Sequence, residues 1–215
     1  MRLFKYKSTD HIEDVIINKR LWCSKFNALN DPMEWAFTSE KDKKDIEELI
    51  EDIDKERWRI CCLSKSEQYG LMWAMYGDEY KGVCIEVEID ETKYCKNNDK
   101  TKDSQWYYGD INYCNTSFNI DDIRCDLKQV LWIKSKQWKH EQEVRFVKRL
   151  TNENDDNYLH VKINAIYLGR RMDKDKARNI KMLCDASDVK HVDLSEPENE
   201  CLVNYWSDYN KVPFK

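Results

Sequence analysis

The sequence predicts an α+β fold: a single domain over residues 1–215, built on a mixed, bent (split) β-sheet flanked by helices. Three observations carry that expectation. Short runs with alternating apolar residues outnumber the helical stripes. Their connections are irregular, without the steady strand–helix–strand rhythm of a doubly wound sheet. Eight Trp, twelve Tyr and six Phe supply core material in a chain that is 36% charged, which excludes disorder.

LFKYKS reads as an opening strand. Asp10 is expected to cap a helix carrying Ile12, Val15 and Ile16, with Glu13 three residues after the cap. LWCS is the next strand. Asn30, Asp31 and Pro32 then punctuate FNALNDPMEW as a turn. Ser39 begins a helix whose Ile46, Leu49, Ile50 and Ile53 form an apolar stripe and whose other face is charged. RICCLS is a buried strand and EQYGLMWAMYG a short helix. In GVCIEVEI, Val83, Ile85, Val87 and Ile89 alternate with polar residues, so one face is expected on the core. Residues 95–105 read as a polar loop. WYYGDINYC is a strand with a bulge expected at Gly109. DDIRCDLKQVLWI reads as a helix. EQEVRFV, YLHVKI, AIYLG and HVDL are strands, with a helix opened by Asp173 between the last two.

Composition narrows the function classes. No run approaches the ~20 consecutive apolar residues of a membrane-spanning helix. The opening MRLFKYKSTD has no apolar segment of secretory length, so no signal peptide is expected. A net charge of −5 argues against duplex binding driven by general phosphate neutralisation. Nine Cys, none in a C-x-x-C pair and several inside apolar strands, point to buried free thiols and a cytoplasmic setting rather than disulfides or zinc. P-loop, G-x-G-x-x-G, H-E-x-x-H and G-x-S-x-G patterns are absent, and the four His show no metal-ligand spacing, so no metal site is expected.

Three segments place polar or aromatic groups where chemistry could use them. Asn30, Asp31 and Glu34 form a turn in which Pro32 pushes Asp31 out of the α region and Glu34 is a carboxylate near a pocket, although a self-stabilised turn explains the segment equally. Trp73 and Tyr76 share a helix face, more often a core feature than a ring-binding shelf. The third is WKHEQEVRF. A strand starting near Glu141 would project Glu141, Glu143 and Arg145 from one face and bury Val144 and Phe146. Two carboxylates there can divide work, one stabilising a developing cation and the other polarising a hydroxyl, with Arg145 keeping them ionised. Lys5 and Tyr6 on the first strand, and Ser64 after RICCL, are candidate anion or ligand contacts, although each alone fits an ordinary strand end.

The ordered motifs LFKYKS, LWCSKFNALNDPMEW, CLSKSEQYGLMWAMYGDEYKGVCIEVE, KSKQWKHEQEVRF and AIYLGRRM resemble a bacterial family catalogued as domain of unknown function 2971. That family carries F-N-D-P-F-E, M-W-x-x-Y with a following K-G-V, and W-x-x-E-x-E-x-R. Met33 stands here where the family usually has Phe, and Asp78-Glu79 where a His is common. More loosely, the motif order is similar to that of ADP-ribosyltransferases: a basic or aromatic first strand, a middle segment with Ser or Tyr, and a late E-x-E opening a strand. That similarity implies an ADP-ribosyltransferase-like fold and NAD as substrate. It implies Glu143 as the carboxylate that favours an oxocarbenium-like transition state and Glu141 as the acceptor-side residue. Lys5, Tyr6, Ser64, Trp73, Tyr76 and Arg145 would then contact NAD.

The expected function is therefore an NAD-using transferase, in the role of a toxin or phage-defence effector that modifies a nucleic acid or a protein. Two alternatives stay open. One is a metal-dependent nuclease using Asp31, Glu34, Glu86 or Glu88. The other is a nucleotide- or protein-binding module without catalysis.

Overall fold

β-branched and aromatic residues recur in the strands, and the computed structural model shows where they pair. It describes residues 1–25, 28–29, 37–38, 58–66, 70–99, 104–114, 118–119, 131–152 and 154–195. Its strands are β1 (Arg2–Lys7), β2 (Arg20–Trp22), β3 (Phe37–Thr38), β4 (Trp58–Ser64), β5 (Val83–Glu88), β6 (Cys95–Lys96), β7 (Trp106–Asp110), β8 (Asn112–Cys114), β9 (Phe118–Asn119), β10 (Ile133–Ser135), β11 (Glu143–Arg149), β12 (Tyr158–His160), β13 (Lys162–Leu168) and β14 (Lys190–Asp193). The α-helices are α1 (Ile12–Asn18), α2 (Gly70–Met75) and α3 (Lys174–Ala186). Among the described residues strands outnumber helices and pair in both parallel and antiparallel fashion, which is the α+β class the sequence predicts. The turn at Asn30, Asp31 and Glu34, and the helix expected from Ser39, lie outside the described residues.

The chain divides into two compact units. One comprises Met1, Leu21–Ser66 and Ile89–His160; the other comprises Arg2–Arg20, Glu67–Glu88 and Val161–Lys215. The second unit holds strands in the order β14–β13–β5–β1. β5 is antiparallel to β1 and to β13, so it is central in that order, and its residues from Val83 to Val87 are buried on both faces, not on the single face that alternation suggested. Phe4, Tyr6, Met72, Trp73 and Cys84 form a core cluster here, with Tyr76, Tyr80 and Tyr167 packed on it. Asp173 caps α3 as expected, its side chain accepting from the amides of Asp175 and Lys176. Asp10 does not cap α1. That position falls to His11 at φ 56°, with no side-chain cap bond, while Asp10 accepts from the Ser8 hydroxyl at 2.8 Å. After α2 the backbone turns through three consecutive left-handed residues, Asp78, Glu79 and Tyr80. Gly82 closes the turn where a Cβ would strike the Lys7 carbonyl oxygen.

The first unit carries β4–β11–β7–β6. β11 runs antiparallel to β4 and β7, and β6 is parallel to β7. Ile60, Tyr107, Leu131, Trp132 and Val147 make one core cluster. Phe146 packs against Tyr94 and Tyr108 at ring-centroid distances of 5.1 and 5.7 Å. β11 is thus enclosed on both sides. Three local expectations change here. Cys95 and Lys96, expected in a polar loop, form β6. The break after β7 comes at Ile111 rather than at Gly109, which pairs in register with Arg145 and leaves room for the Asn97 side chain. Ile133, expected at the end of a helix, opens β10.

The seven described cysteines form no disulfide with one another, and burial pushes the Cys184 thiol up to about 11. Among the described residues no helix is long and apolar enough to cross a membrane.

Candidate functional site: a buried carboxylate pair

The site sits at one end of β4 and β11, within the first unit. β11 begins at Glu143, and antiparallel pairing sets Glu143 against Ser64, the last residue of β4. Glu141 is not on the strand, as the sequence suggested. It ends a 3-10 turn, Lys136–Glu141, and Gln142 follows in the left-handed region at φ 46°. That one residue of reversed backbone brings the Glu141 carbonyl to the Ser64 hydroxyl, which donates to it at 2.7 Å. The Lys65 amide donates to the Gln142 carbonyl at 3.1 Å, so the two chain segments are tied by consecutive bonds. His140 lies in the same turn, its Nδ1 3.0 Å from the Gln137 carbonyl oxygen.

The second half of the site comes from β8 and β10, a parallel pair in which Tyr113 stands beside Lys134. The Lys134 ammonium lies 2.7 Å from Glu141 Oε2 and 3.3 Å from Glu143 Oε2. Arg145 donates from Nε to Glu143 Oε1 at 2.6 Å and from Nη1 to the Leu131 carbonyl at 2.7 Å. Tyr113 closes the group, its hydroxyl accepting the Glu143 amide at 2.8 Å. Lys134 also lies over the Trp138 ring at 4.8 Å.

These charges are enclosed. Glu141, Glu143, Lys134 and Arg145 are 3, 4, 4 and 0% exposed. Two carboxylates and two cations at such burial are tolerated because their number balances and their donors are matched. Burial by itself would raise the Glu143 carboxyl, but Arg145 and Lys134, with a bond from Cys62, outweigh it and hold Glu143 below the usual carboxylate range. Burial pushes the Tyr113 hydroxyl the other way, up to about 12, so it remains a neutral phenol. Chemically the arrangement offers a fixed anion at Glu143 with a neutral hydroxyl beside it. Such a carboxylate suits stabilising positive charge, not donating a proton.

The sequence candidates fall into separate groups. Ser64, Glu141, Glu143 and Arg145 converge here. Tyr6 and Trp73 meet in the core of the second unit, edge to face at 5.3 Å, and Tyr76 packs on the same cluster. Lys5 lies on β1 opposite Ile85. Asn30, Asp31 and Glu34 are outside the described residues. Of the carboxylates weighed for a metal, Glu86 accepts from Arg2 and from the Tyr167 hydroxyl at 2.8 Å each, and Glu88 pairs with Lys162 at 2.7 Å. Among the described residues no three His, Cys, Asp or Glu are grouped to hold a metal ion.

Sequence reasoning missed Lys134, Tyr113 and Cys62. Lys134 directly follows the apolar run Leu131-Trp132-Ile133. Nothing in the spacing ties it to Glu141 and Glu143.

Neither the curated proteins nor the solved structures give a match to this chain. The model of the family described as "Protein of unknown function (DUF2971)" matches residues 72–146, about a third of the chain, and this stretch, holding Trp73, Lys134, Glu141, Glu143 and Arg145, is similar to the family that the sequence motifs resemble.

Proposed function

We propose that the protein is an NAD-dependent ADP-ribosyltransferase-like enzyme with Glu143 as its catalytic carboxylate. What supports the reading is the register of Glu143 against Ser64, which joins the late E-x-E segment to the middle Ser segment at one end of two neighbouring strands. In the reaction, the bond between nicotinamide and its ribose breaks and nicotinamide leaves with the bonding electrons. The anion of Glu143 stabilises the positive charge that develops on the ribose. A nucleophile of the acceptor, a nucleic acid or a protein, forms the new bond and gives up its proton. Glu141 is assigned to the acceptor side. A cytoplasmic effector, acting as a toxin or in phage defence, is the setting that fits such chemistry. The test is release of nicotinamide from NAD by the purified protein, alone and with cell lysate as a source of acceptor.

A second reading is a nucleotide- or protein-binding module without catalysis. It is favoured by the 3 and 4% exposure of Glu141 and Glu143, since carboxylates enclosed with their counter-ions can serve to hold a strand. Saturable NAD binding with no nicotinamide released over a long incubation would select it.

A further inference from the structure

Lys134 has no part in the sequence reading, yet it touches both carboxylates. We propose that Lys134 is the positioning residue of the pair: its ammonium, shared between Glu141 Oε2 and Glu143 Oε2, sets the spacing of the two carboxylates across the Gln142 turn. The inference rests on the catalytic reading only for its effect on turnover. Its structural content stands on geometry alone.

Different groups hold the two carboxylates. Glu143 is anchored by its own strand, because Arg145 two residues along donates to it from Nε. Glu141 lies before the left-handed Gln142, where strand pairing no longer dictates where its side chain points. The 2.7 Å bond from Lys134 ties the Glu141 side chain to the atom that also reaches Glu143. Lys134 is itself fixed by the β8–β10 pairing and by the Trp138 ring. The charged and titratable groups facing Glu143 are Arg145 on β11, Lys134 on β10, Glu141 on the 3-10 turn, Tyr113 on β8 and Cys62 on β4. Asp110, at the end of β7, is paired with Lys65 at the surface. Removing Lys134 takes away one of the two cations beside Glu143 and the 2.7 Å bond to Glu141. Glu143 then gains affinity for a proton.

The experiment follows the Glu143 carboxyl by carbon NMR across pH in wild type, Lys134→Met and Lys134→Arg, with nicotinamide release from NAD measured in parallel. The expected result is a Glu143 titration raised by about 1–3 pH units in Lys134→Met, and lowered again in Lys134→Arg. In turnover, kcat falls by about 100-fold with a smaller change in KM, and the acid limb of the pH profile moves up with the NMR midpoint. A folded Lys134→Met protein with an unmoved Glu143 titration would overturn the proposal. Where Lys134→Met unfolds at neutral pH, its folded fraction is followed downward in pH. Refolding through the carboxylate range supports the proposal, because a protonated carboxyl needs no counter-ion, and unfolding at every pH overturns it. If wild type releases no nicotinamide, the catalytic reading fails while the titration still decides the role of Lys134.

Discussion

Glu143 and Ser64 stand directly opposite each other, the first residue of β11 against the last residue of β4. The Ser64 hydroxyl does not bond the Glu143 carboxylate but reaches back to the carbonyl of Glu141. Ser64 therefore fixes the backbone that carries the pair. Lys134 and Arg145 hold the side chains.

That division of labour has a consequence in acid. Glu143 has a folded-state value below its unfolded one, because Arg145 and Lys134 outweigh the effect of burial. Its contribution to stability is present above the unfolded carboxylate value and is lost as the pH falls through the folded one. Wild type is expected to lose stability in urea titrations as the pH drops below about 4.3. Glu143→Gln is expected to be destabilised by about 3–5 kcal/mol at neutral pH and to show a flatter acid dependence. Equal slopes for the two proteins would contradict the assignment.

Tyr113 offers an independent handle. Its hydroxyl accepts the Glu143 amide, and burial raises it to about 12, so it ionises later than an exposed tyrosine. Tyr113→Phe should remove one late-ionising phenol from the ultraviolet absorbance titration and cost about 1–2 kcal/mol for the orphaned amide. Tyr167 is also raised, by burial first and then by its bond to Glu86, and should persist in that late phase.

Much of the fold was legible in the sequence, for reasons that particular residues show. Alternation marks β5 and β11 because apolar side chains recur with the pleat, a short continuous apolar run marks β4, and Asp173 announces α3 because a carboxylate can take two free amides at a helix start. What escaped depends on backbone conformation or on distant partners. Gln142 and His11 adopt the left-handed region although neither residue type demands it, so the exit of Glu141 from the strand and the start of α1 were not readable. The burial of successive residues of β5 on both faces depends on what packs above and below the sheet, which the alternation of Val83, Ile85 and Val87 does not show. Ser64, Glu141, Glu143 and Arg145 were readable as site candidates from their segments. Lys134 was not, since a single lysine carries no spacing that points to carboxylates seven and nine residues later.

Trp73 tests the line between core and ligand shelf. Its ring is 4% exposed, stacked on Tyr80 at 6.0 Å and set edge-on to Tyr6. Trp73→Ala is expected to cost about 3–5 kcal/mol, as for other buried aromatic truncations, read as a lower urea midpoint with NAD absent. A near-neutral effect would show that the ring is not part of the packing that holds the second unit together.

Nicotinamide release by wild type and by Glu143→Gln decides the role of Glu143. Purified wild type and Glu143→Gln are incubated with NAD under conditions where both are folded by circular dichroism, and free nicotinamide is measured over time with and without lysate. Release by wild type is expected, with a loss of about 100-fold or more in the variant, as for removal of a key electrostatic contact to a charged transition state. Release that survives the substitution would contradict the assignment of Glu143, and no release from wild type in either condition would leave the carboxylate pair as the anchor of β11.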